Sequence, residues 1–228
     1  MHSHTALPEV NQSSKPDTSV IFFPLLTLTL IMWVLYRSLF TFPVWFDETV
    51  GKAVFFGLPV WLYITASRDK KIIDSFASYK MQHGLLLGLA LGGVFGFVGS
   101  LLALAQKGGG VEAVWLFSSM VFWREFLLAL LTAFWETLLF YSFVMTVIEH
   151  KFASWTMLQQ VLITSLIFVL FHIPNTMLRF GPAAVLPQLT LLFLFAIGQA
   201  YLFTSSKNAY ALVLSHAIWG MVLLIHTW

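Results

Sequence analysis

Three side chains of this 228-residue chain combine acid–base capacity with strongly apolar surroundings: Glu136, His172 and His216. Glu136 lies in the stretch WETLLFYSFVMTVIEH, residues 135–150. Of the ten acidic residues, it alone has about ten apolar-rich neighbours on both sides. An ionisable side chain deep in a membrane span costs roughly 3 kcal/mol or more, so such a group marks a functional site by default. A carboxylate can take a proton from water, and an imidazole can orient water, donate a hydrogen bond or bind a metal. The sequence places no Lys or Arg at matching depth to pair with Glu136.

The elements that must position these three are helices in a bilayer. The chain is 59% hydrophobic and 10% charged, with a mean hydropathy of +0.85. A soluble domain carries about 25% charged residues. Repeated apolar stretches of this length predict an all-α, polytopic transmembrane bundle of about seven spans. A net charge of +2 is too small to suggest nucleic-acid binding. The chain has no cysteine, which excludes disulfides and thiolate metal sites.

In chain order, residues 1–18 read as a disordered polar tail without a signal-peptide pattern. Residues 19–110 hold the N-terminal transmembrane helices, with spans at about 19–42, 53–67 and 83–106. Residues 43–52 (PVWFDETVGK) read as an interfacial turn, with Asp47, Glu48 and Lys52 at headgroup level. Pro59 predicts a kink in the second span. Residues 68–80 hold four of the twelve Lys/Arg residues, which places that loop, and with it the N-terminus, in the cytoplasm. In the third span, Gly84, Gly88, Gly92 and Gly96 repeat every four residues and form a face for close helix packing. Residues 108–110 are a glycine loop, and residues 111–123 read either as an interfacial helix or as the start of the next span. The remaining spans are about 121–148, 157–178, 183–204 and 209–225. Arg124 and Glu125 form an interfacial pair.

Each of the three candidate residues falls on a different span. At a rise of about 1.5 Å per residue, Glu136 and His172 lie about 21–23 Å from the same side, and His216 about 10–14 Å. The first two match, and the third joins them if its helix starts deeper or tilts.

The sequence resembles the CPBP intramembrane proteases, which include CAAX prenyl protease 2 and lysostaphin resistance protein A-like members. Glu136 in ETLLFYS falls on the first Glu of that family's EExxxR motif. Phe168 to His172 (FVLFH) matches its FxxxH motif, and His216 matches the His of its HxxxN motif. The resemblance covers about residues 127–224. It implies that residues 111–228 are the catalytic helical core, with Glu136, His172 and His216 catalytic. The chain departs from the motif at three positions: Thr137 for the second Glu, Tyr141 for the Arg and Gly220 for the Asn. Asn175, one helical turn from His172, offers a replacement amide.

The resemblance implies an endopeptidase acting on membrane-associated, prenylated or leader-peptide substrates in the lipid bilayer of a bacterial cytoplasmic membrane. The same three side chains, Glu136, His172 and His216, are candidate ligands of one divalent metal, since a His/His/Glu set resembles a catalytic zinc site. Only one carboxylate is present, and a metal would remove it from the role of base. That favours a metal-free scheme. Two other readings stay open: a degenerate family member that binds a peptide or partner without cutting it, and a proton-coupled transporter.

Overall fold

The computed structural model describes residues 19–106 and 119–226. These residues form helices and turns, and no strand occurs among them. Seven helices are labelled here α1 to α7: Ser19–Leu39, Val44–Ser67, Met81–Gln106, Met120–Lys151, Met157–Arg179, Pro182–Ser206 and Ala209–His226. Six segments are long and apolar enough to cross a membrane, and Ala209–Met221 is a shorter apolar helix. The expected all-α membrane bundle is therefore the observed architecture. The expected tail at residues 1–18, the loop at 108–110 and residues 111–118 lie outside the described residues. Residues 121–123 belong to α4.

The core is aromatic. Phe140 meets Phe168 edge-on at 5.0 Å between ring centroids and Phe171 at 5.2 Å. Trp33 is buried and donates Nε1–H to the carbonyl of Phe171 at 3.0 Å, tying α1 to α5. A buried indole needs such an acceptor.

The glycine face of α3 packs on α7. A Cβ at Gly88 would stand 2.7 Å from the carbonyl oxygen of Ala211, and one at Gly92 would stand 2.4 Å from Ile218 Cδ1. Only a hydrogen fits at those points, so the backbones approach closely. The turn before α7 is clamped as well. Asn208 Nδ2 donates to the carbonyl of Lys80, and Tyr210 Oη donates to that of Phe76, both at 2.9 Å. A capping box of Thr156 and Gln159 starts α5.

Two expectations are corrected. Residues 43–52 are not an interfacial turn, because Val44–Ser67 is one helical span of 24 residues. Asp47, Glu48 and Lys52 are buried within it, at 4%, 9% and 3% exposure. These charges are not at headgroup level, because they pair inside the protein. Asp47 accepts from Tyr36 Oη at 2.6 Å and is ion-paired with Arg37. Pro59 lies inside this span, where π-helix Ala53–Gly57 gives way to the regular helix Leu58–Ser67.

Candidate active site

Three π-helical runs lie beside the buried charges. Asp47–Gly51 and Ala53–Gly57 flank Lys52 in α2, and Thr137–Met145 follows directly after Glu136 in α4. π-Helix is rare and recurs at functional sites, because it re-aims the side chains around it.

Glu136 reaches the interior from α4 with its side chain 4% exposed. His172 comes from α5. Its Nδ1 lies 2.8 Å from the carbonyl of Phe168, one turn back, and its ring stacks on Phe168 at 4.1 Å. A carbonyl only accepts, so Nδ1 carries the proton and Nε2 is left to face the interior. That Nε2 lies 3.5 Å from Glu136 Oε2.

His216 comes from α7. Leu214 and Ile218 contact the glycine face of α3. His216, two residues from each, lies on the opposite face of the helix. Its ring packs against Phe195 at 4.8 Å, and its Nε2 lies 3.4 Å from Glu136 Oε2. His216 Nδ1 is buried without a hydrogen-bond partner, as is Glu136 Oε2. The structure thus brings Glu136, His172 and His216 onto one carboxylate oxygen.

The expectation that no cation reaches Glu136 is wrong. Lys52 Nζ lies 2.5 Å from Glu136 Oε1 and 2.5 Å from Glu48 Oε2. Glu48 also accepts from Thr132 Oγ1 at 2.8 Å, and Arg179 Nη2 lies 3.6 Å from its other oxygen. A buried charge persists only when paired, and here five groups on three helices share the task. Reading residues 44–67 as one span would have exposed the signal, since Glu48 and Lys52 are four apart and so on one helix face.

Asn175 lies on the same face of α5 as His172 and Arg179. Its Oδ1 is buried without a partner, and no hydrogen bond joins it to His172 among the described residues. Thr137 and Tyr141 are fully buried, and Thr137 Oγ1 and Tyr141 Oη lack partners. Arg124 pairs with Glu125 at 2.8 Å on the surface, as expected. No group of three His, Cys, Asp or Glu side chains is arranged to hold a metal ion among the described residues.

A buried carboxylate flanked by two imidazoles has the groups that acid–base chemistry requires. Residues 116–222 match the family model described as "Type II CAAX prenyl endopeptidase Rce1-like". The match takes in Glu136, His172 and His216 and agrees with the CPBP resemblance over that stretch. No curated protein and no solved structure matches the chain.

Proposed function

We propose that the protein is an intramembrane endopeptidase that hydrolyses a peptide bond of a membrane-associated substrate, with Glu136 as general base. The observation that carries this reading is the approach of two imidazole Nε2 atoms to one oxygen of Glu136, at 3.5 Å and 3.4 Å. The family match over residues 116–222 supports the peptidase class, and its description makes a prenylated peptide the first substrate to test.

In the proposed reaction a water binds between Glu136 and His172. His172 Nε2 has its lone pair free, because its proton is held at Nδ1 by the Phe168 carbonyl, so it accepts from the water and aims it. Glu136 Oε2 takes the second proton as oxygen attacks the scissile carbonyl. His216 has no partner at Nδ1. Its proton is therefore free to sit on Nε2 and stabilise the tetrahedral oxyanion. Glu136 then passes its proton to the leaving amine.

The scheme is metal-free. A metal on Glu136, His172 and His216 would bring a second cation onto the carboxylate that already holds the Lys52 ammonium at 2.5 Å, and like charges at such range repel. Cleavage of an internally quenched peptide ending in a farnesylated cysteine and three further residues tests the function. Wild-type protein in detergent micelles should cut it. Wild-type protein that leaves it intact contradicts the proposal.

A further inference from the structure

The family motif carries a Glu and an Arg at the positions of Thr137 and Tyr141, four residues apart on the helix of Glu136. In this chain both positions are neutral and fully buried. Their hydroxyls, Thr137 Oγ1 and Tyr141 Oη, make no hydrogen bond. Taken alone, the substitutions leave Glu136 as a lone buried carboxylate.

The charges reappear on α2. Glu48 and Lys52 are again a carboxylate and a cation four residues apart, joined at 2.5 Å. Lys52 bridges to Glu136 Oε1, also at 2.5 Å, with its side chain only 4% exposed. The motif combines two carboxylates with one cation, and Glu136, Glu48 and Lys52 make the same set. The geometry also orients the base. Lys52 occupies Oε1, so Oε2 is the oxygen turned toward His172 and His216. The π-helical runs on each side of Lys52 are the local irregularity that seats it there. Arg179 and Thr132 hold Glu48 in turn. The helix α2 lies outside residues 116–222, so the matched stretch alone does not contain the whole arrangement.

We propose that Glu48 and Lys52 stand in for the Glu and Arg of the motif, with Lys52 the positioning residue that fixes Glu136 with Oε2 toward the two histidines. This rests on the endopeptidase reading. The role differs from simple packing in one respect: it acts on turnover more than on substrate binding, and it requires a cation rather than a particular shape.

The test uses the full chain in detergent micelles and the farnesylated quenched peptide, with kcat and KM measured separately. Lys52→Met should lower kcat by about 10²-fold, the scale of a misplaced catalytic group, with KM little changed. Lys52→Arg should keep most of kcat. Because Lys52→Met leaves two carboxylates facing each other, the charge-balanced pair Glu48→Gln/Lys52→Met is made too, with folding checked by its unfolding transition. It should show the same loss. Adding Thr137→Glu and Tyr141→Arg to that folded pair should regain at least about tenfold. Wild-type kcat in either Met variant, with Glu136→Gln inactive, overturns the stand-in, as does a folded four-fold variant with no gain. Full activity in Glu136→Gln overturns instead the role of Glu136 as base, and a wild-type protein that leaves the peptide intact overturns the endopeptidase reading itself.

Discussion

Lys52 and Glu136, 84 residues apart in the chain, meet at 2.5 Å with both side chains buried. The contact joins the second helix to the helix of the proposed base. Removing one partner of a buried ion pair strands the other charge, at a cost of about 3–5 kcal/mol. Lys52→Met should therefore destabilise the protein by about that much in thermal or denaturant unfolding. Lys52→Met combined with Glu136→Gln should recover much of the loss. Additive losses in the double variant would show that the two side chains are not coupled.

The packing of α3 on α7 gives a second expectation. At Gly92 a new side chain meets Ile218, whereas a Cβ at Gly93 meets nothing within 4 Å. Gly92→Leu should destabilise by about 1–3 kcal/mol, the usual range for overpacking. Gly93→Ala should stay within about 0.5 kcal/mol of wild type. Equal melting points for Gly92→Leu and wild type would show that this face meets lipid.

How much of this was legible in the sequence follows from which signals are local. Span length and hydropathy are local, so the helices other than α2 were found nearly at their observed bounds, such as Met157–Arg179 and Pro182–Ser206. Glu136, His172 and His216 stood out because each interrupts an apolar run. Lys52 did not, because it follows Asp47, Glu48 and Thr49 and that cluster reads as water-facing. Only the fold shows that Asp47 turns to Tyr36 and Arg37 while Glu48 and Lys52 turn to Thr132 and Glu136. The π-helical runs were equally hidden, since they depend on how the helices pack and not on a residue pattern.

Topology is open to direct measurement. Four of the twelve Lys/Arg residues lie in residues 68–80, and such a segment is retained in the cytoplasm. A reporter active only in the cytoplasm should give signal when fused there, and a reporter active only outside should give none. The reverse pattern would invert the bundle.

Metal dependence has a plain readout. In the proposed scheme the Lys52 ammonium, and no metal, faces the Glu136 carboxylate. Cleavage of the farnesylated peptide should then survive prolonged dialysis against a strong chelator with its rate unchanged. A loss of activity that added zinc restores would show that Glu136, His172 and His216 serve a metal instead.

The central claim is that Glu136 is the base. Glu136→Gln keeps size and hydrogen bonding but removes the basic oxygen, and loss of a general base costs about 10²–10⁴-fold in rate. The decisive measurement is kcat of purified Glu136→Gln beside wild type on the farnesylated peptide. The account predicts a fall of that size in a protein that still unfolds cooperatively, and an unchanged kcat would contradict it.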